Sequence, residues 1–191
     1  YLEEWLNYHI LIGVSKFYLY DNESTDETNK LLQPYIAMGL VEYIYAPGKN
    51  LQLPAYNDAI RKHRFDCKYM GFFDIDEFIY LLQGENLLDV LDDIMTRDDA
   101  GATAITCKSF GSSGYKQRPT GNVLDSYIRR APDGYQWTNL PWKWDAHIKT
   151  IANPRFIRRF LSPHHAEYFS GKHAIDENGS YVDDMDNFVD A

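Results

Sequence analysis

YMGFFDIDEFIYL, residues 69–81, passes from an apolar run through Asp74, Ile75, Asp76 and Glu77 into a second apolar run. Carboxylates set between segments that both favour burial cost free energy unless each finds a partner. The first run, YMGFF at 69–73, reads as a buried strand, which puts Asp74 and Asp76 at its carboxyl end. Residues two apart on an extended chain face the same side, so these two carboxylates converge while Ile75 points back into the core. Adjacent anions repel, and a divalent cation with oxygen ligands between them removes the conflict. The bland alternative is a solvated turn; the apolar flanks weigh against it.

Outward from this stretch the chain alternates. Leu2, Trp5, Leu6, His9 and Ile10 make a helical stripe over 2–12, stopped by Gly13. KFYLY (16–20) reads as a strand. DNESTDETN follows, where Ser24-x-x-Glu27 is a capping box that opens a helix running to about Gln33, with Pro34 as its breaker. VEYIYA (41–46) is a second strand and LPAYNDAIRKHR (53–64) a helix with a basic end. After the 69–73 strand come a short helix over 87–95 and a strand, ATAITC (102–107). HIKTIA (147–152) and RFIRRF (155–160) read as further short strands. Strand–helix alternation predicts an α/β fold with a mostly parallel central sheet flanked by helices. No repeat or linker divides the chain, so residues 1–191 are expected to form a single domain.

Composition narrows the function. With 28 acidic against 19 basic residues the net charge is −9, the wrong sign for general nucleic-acid binding. The 15 tyrosines and 4 tryptophans offer apolar faces with polar handles, suited to sugars and nucleotides as well as to cores. Cys67 and Cys107 form neither a disulfide framework nor a zinc motif. No apolar run reaches membrane-spanning length. A phosphohydrolase that opens on Asp-x-Asp would carry Thr or Val where Phe78 stands. An EF-hand loop over DNESTDETN would need Gly at the position of Asp26.

EWLNYHILIGVSKFYLYDNESTDET, QLPAYNDAIRKH, YMGFFDIDEFIYL, KSFGSSG, HIKTI and SPHHAEY occur in that order. Together they resemble glycosyltransferase family 92 and the related family-2-like enzymes, over almost the whole chain. The resemblance implies a GT-A fold. It also implies that a strand ending in Lys-Asn-Glu precedes residue 1 in such enzymes, so the first strand of the domain is expected to be missing here. The implied activity is metal-dependent transfer of a sugar from a nucleotide-sugar, a UDP-sugar in most such enzymes, to the hydroxyl of a glycan or lipid-linked sugar acceptor, by inversion. The implied cofactor is Mn²⁺ or Mg²⁺ at the Asp-x-Asp motif. A binding module without turnover and a metal-dependent phosphohydrolase are the rival readings.

The same resemblance assigns roles. Asp76 is implied as direct metal ligand, Asp74 as metal or ribose contact, and His164, preferred to its neighbour His165, as the late histidine of the metal site. Asp21 matches an acidic nucleotide-binding position, with Asn22 and Ser24 on its loop; for Ser24 a helix cap suffices. Gln52, Tyr56 and Asn57 match the helix that borders the donor, and Lys149 is a candidate contact to the diphosphate. Glu77 and Asp145 are candidates for the base that inversion requires. SFGSSG (109–114) and the rings of Trp142 and Trp144 match the acceptor side. The expected location is the cytoplasm, at the inner membrane face with peripheral membrane association; a Golgi lumen is the alternative.

Overall fold

The computed structural model describes residues 1–82, 84, 86–133 and 147–182. The chain opens with α1 (Leu2–Leu11), β1 (Phe17–Asp21), α2 (Thr28–Ala37), β2 (Val41–Tyr45) and α3 (Gln52–His63). β3 (Met70–Gly71), α4 (Leu87–Ile94), β4 (Ala100–Thr106) and the single turn α5 (Val123–Ser126) follow. β5 (Ile148–Ala152), β6 (Ile157–Phe160), β7 (Ala166–Tyr168) and β8 (His173–Ile175) complete the described chain.

α1 ends where the sequence stops it. Gly13, at φ +109°, lets the chain turn back so that its N–H bonds to the Ile10 carbonyl and that of Val14 to the His9 carbonyl. The capping box does not form as expected: α2 begins at Thr28, whose N–H is held by Asp26 rather than by Ser24. Nor does Pro34 end the helix; α2 continues to Ala37. A proline deletes one helical hydrogen bond. Burial of Leu32 and Tyr35 on either side of it, in the cluster with Trp5, Leu6, Phe17 and Val41, outweighs that loss.

Strands β1 and β2 pair in parallel, as alternation predicts. The larger sheet does not follow the expected mostly parallel pattern. Its order is β3-β5-β4-β8; β5 runs antiparallel to both β3 and β4, and only β8 is parallel to β4. The reason lies in chain order. β5 arrives from the second half of the chain and inserts between β3 and β4, a placement that strand–helix alternation in the first half does not encode. β6 and β7 form a separate antiparallel pair against α3.

The β1-β2 pair and the four-stranded sheet share an apolar layer without sharing a ladder among the described residues. On one side Tyr18 and Tyr20 of β1 pack with Met70, Phe72 and the α3 residues Ala59 and Ile60. On the other, Phe17 and Leu19 lie in the cluster that takes in Phe73, Phe78 and α1. A cleft of ≈ 1760 Å³ is lined by all of β1 and by residues 70–74. No helix among the described residues is long and apolar enough to cross a membrane.

α1 also grips the stretch that follows the carboxylates. Trp5 Nε1 donates to the Glu77 carbonyl at 2.7 Å and the Tyr8 hydroxyl to the Ile79 carbonyl at 2.6 Å. His9, 2 % exposed, donates from Nδ1 to the Trp5 carbonyl and accepts the Ile79 N–H at Nε2. That arrangement needs a neutral ring. Burial holds His9 below its ordinary pKa, against the smaller upward pull of the Trp5 carbonyl. A lowered folded pKa means the unfolded chain binds more protons, so the stability is complete above the unfolded value of about 6.5 and is lost as the pH falls through the folded value. The thermal midpoint is therefore expected to drop between pH 7.5 and pH 5, and to drop less in His9→Phe; equal slopes in scanning calorimetry would contradict this.

Candidate functional site

The Asp-x-Asp stretch is a turn, not the end of an extended strand. β3 stops at Gly71, and the Glu77 N–H closes onto the Asp74 carbonyl at 3.0 Å. The extended backbone on which the expected convergence of Asp74 and Asp76 rests is therefore replaced by a turn. Ile75 does not return to the core; it is 51 % exposed at the tip. A turn of this kind puts its two central residues, Ile75 and Asp76, outward.

The partners of the carboxylates are local. Glu77 Oε2 accepts the Asp74 N–H at 3.0 Å, so backbone and side chain clasp the turn from both ends. Lys149 Nζ lies 3.2 Å from Asp74 Oδ2 and 3.2 Å from Glu77 Oε2. Gln52 Nε2 donates to the other Asp74 oxygen at 2.9 Å and to the Tyr56 hydroxyl at 3.2 Å. The Tyr56 ring is fixed against Phe72 and Phe160. Asp76 is exposed and joins none of these contacts.

Electrostatics follow burial. Lys149 is 2 % exposed; burial pulls its ammonium down, but Tyr56, Glu77 and Asp74 together outweigh that and hold it above its ordinary pKa. Glu77 also moves up, first through burial and further through repulsion from Asp74. An ion pair alone would lower Glu77. The ammonium is shared with Asp74, so it only partly offsets the cost of burying the second carboxylate. With its folded pKa raised, Glu77 contributes stability at low pH that fades as the pH rises, opposite in sign to His9.

The cleft brings together several of the residues singled out in the sequence. Asp21, Asn22, Gln52, Tyr56, Asp74 and Asp76 line it. Asp21 is also an organiser of its loop: its oxygens accept the Ser24 N–H and the Tyr43 hydroxyl. Burial works upward on Asp21, but these hydrogen bonds prevail and lower its pKa. Asn22 donates to the Ala46 and Gly48 carbonyls, tying the end of β1 to the loop after β2.

Other candidates sit apart from the cleft wall. Lys149 and Glu77 lie beneath the turn. His164 donates from Nδ1 to the Ile148 carbonyl, one residue from Lys149, with its ring 5.1 Å from that of His147. Its neighbour His165 faces Ser162. Asn57 bonds by its amide to both the N–H and the carbonyl of Phe160, extending β6 like a backbone partner. Asn57→Ala would leave the buried end of β6 short of a partner and is expected to cost about 1–2 kcal/mol of stability, read as a lower urea midpoint, without weakening a ligand at Asp76. Asp145, Trp142 and Trp144 fall outside the described residues.

Two features escaped the sequence reading. One is the α1 clamp of Trp5, Tyr8 and His9 on residues 77–79. Its signal was present in the helical stripe, but nothing in the spacing says what a stripe packs against. The other is Lys149 as counter-charge to the turn, a pairing across 75 positions of sequence that no local pattern records.

A glycosyltransferase family 92 family model matches residues 1–190. The chain belongs to glycosyltransferase family 92. A family 92 protein of Oryza sativa subsp. japonica is 31 % identical over 140 residues, covering 71 % of this chain and 24 % of its own length. One from Ricinus communis is 31 % identical over 169 residues, 80 % of this chain and 28 % of its own. The galactan beta-1,4-galactosyltransferase GALS2 of Arabidopsis thaliana is 32 % identical over 100 residues, 47 % of this chain and 19 % of its own. The chain thus spans about a quarter of the length of the family 92 proteins it matches. No solved structure matches it at a significant level.

Proposed function

We propose that this family 92 chain is the donor-binding part of a metal-dependent glycosyltransferase of GT-A type, which moves a sugar from a UDP-sugar to a glycan hydroxyl. The observation that carries the reading is the carboxylate turn at the cleft: Asp74 is braced from beneath by Lys149 and from the side by Gln52, while Asp76 stands exposed at the tip. The galactan galactosyltransferases among its relatives make galactose the first sugar to test.

The metal fits these residues in one way only. Among the described residues no group of three or more His, Cys, Asp or Glu could hold an ion unaided. Mg²⁺ and similar ions, however, are bound through one or two carboxylates together with substrate phosphates. Asp76, with Asp74 behind it, would hold an ion that arrives with the diphosphate. When bound, the ion would neutralise the charge that builds on the departing nucleoside diphosphate. The chain's own residues orient the donor. Gln52 and Tyr56 border it beside the turn, and Asp21 and Asn22 bound the cleft at the end of β1. Glu77 is committed to Lys149 and to the Asp74 N–H, which leaves Asp145 as the candidate base for an inverting transfer.

The test is a transfer assay with labelled UDP-galactose and other UDP-sugars on galactan oligosaccharides, with Mn²⁺ or with EDTA. Labelled product that requires both metal and acceptor is the expected result. Release of phosphate or free sugar without an acceptor would favour a hydrolase instead. UDP binding without transfer under any condition would favour a module that binds and does not turn over.

A further inference from the structure

We propose that Lys149 is the positioning residue of this site: its buried ammonium fixes Asp74 and Glu77 from beneath, so that the turn presents Asp76 to the ligand in a fixed direction. The idea that a nucleoside diphosphate is that ligand rests on the function proposed above; the positioning of the turn does not.

Lysines usually keep their ammonium in water and bury only the stem. Lys149 does the reverse. It sits on β5, between β3 and β4, and opens a run, Lys149 to Ala152, that is buried throughout. Its Nζ lies at equal distance, 3.2 Å, from one oxygen of each carboxylate. Asp74 is 49 % exposed at its side chain and Glu77 29 %, against 3 % for Lys149. The cation is therefore the inner member and the carboxylates the outer ones. The ammonium in that position is engaged by the two carboxylates that lie between it and solvent.

What it can do is set their geometry. Without the ammonium, Asp74 and Glu77 would face each other across one turn with no counter-charge. Two such carboxylates repel and move apart. Glu77 would then be drawn off the Asp74 N–H, and Gln52 alone would hold the Asp74 side chain. The turn that carries Asp76 would lose its fixed direction. Loss of a residue that orients ligating groups in this indirect way typically costs about 10- to 100-fold in affinity.

The experiment compares wild type with Lys149→Met by two readouts. Hydrogen exchange on the ligand-free protein reports the amides of Asp74 and Glu77. They are expected to exchange about tenfold faster or more in the variant, while the β4–β5 ladder amides stay protected. Titration with UDP in the presence of Mn²⁺, at a temperature where circular dichroism shows both proteins folded, is expected to give a roughly 10- to 100-fold weaker affinity. A lysine that merely supports the fold would lower the thermal midpoint and leave both readouts alone, and that result overturns the proposal. Should Lys149→Met not fold, Glu77→Gln is compared with Glu77→Gln/Lys149→Met, which differ in Lys149 alone; equal exchange at residues 74 and 77 in that pair overturns it as well. If wild type binds no UDP with Mn²⁺, the donor reading fails, and exchange decides the role of Lys149 by itself.

Discussion

Asp76→Asn is expected to lower glycosyl transfer by about 100-fold or more while leaving the thermal midpoint unchanged. The two halves of that expectation have separate grounds. Asp76 is exposed at the tip of the turn and takes no part in the hydrogen bonds and ion pairs that hold it, so its charge does nothing for the fold. Asparagine keeps the size and polarity of the side chain and removes only the negative charge. Whatever is lost is therefore the interaction of a carboxylate with a cation. Asp74→Asn is a different experiment, because Asp74 is also a partner of Lys149 and Gln52. It would disturb the buried ammonium and change stability and activity together. Steady-state transfer kinetics alongside calorimetric melting separate the two variants.

Ile157→Ala is expected to cost about 2–5 kcal/mol of stability, a large share of the roughly 5–15 kcal/mol that holds a domain folded. Ile157 is fully buried, in the cluster that joins α3 to the sheet through Ile60, Met70, Phe72 and Ala102. Its carbonyl also accepts from Arg64 at the end of α3. Truncation would leave a cavity between β6 and the helix whose first turn presents Gln52 to Asp74. The loss should appear as a lower denaturant midpoint. Affinity for a nucleotide, measured where the variant is still folded, should change little, because Gln52 lies at the other end of the helix. A large loss of affinity in the folded variant would mean that the packing at Ile157 reaches the site along β6, whose far end, Phe160, packs against Tyr56.

What the sequence revealed and what it hid divide along physical lines. α1 was legible, because its stripe and Gly13 are local signals and both act locally in the fold. β1, β2 and α3 were legible for the same reason. Pro34 misled, because the penalty it carries is local while the burial of Leu32 and Tyr35 that overrides it is tertiary. The direction of β5 was hidden, since nothing in HIKTIA says which strands it will separate. At the site, the composition of residues 74–77 was informative and its geometry was not. An apolar run before Asp74 reads as strand continuing to the carboxylates, but the ladder stops at Gly71 and the turn takes over. Ile75 then faces solvent and Asp76 is exposed beside it. The reason carboxylates can sit between two apolar runs is Lys149, which comes from a distant strand and meets them only in the folded chain.

In the proposed function Asp76 binds a cation together with a nucleoside diphosphate. The most direct test is calorimetric titration of UDP into wild type and Asp76→Asn, each with Mn²⁺ and with EDTA. Wild type is expected to bind UDP only with Mn²⁺, and Asp76→Asn to lose that binding. Equal affinity with Mn²⁺ and with EDTA, or binding untouched by Asp76→Asn, would contradict it.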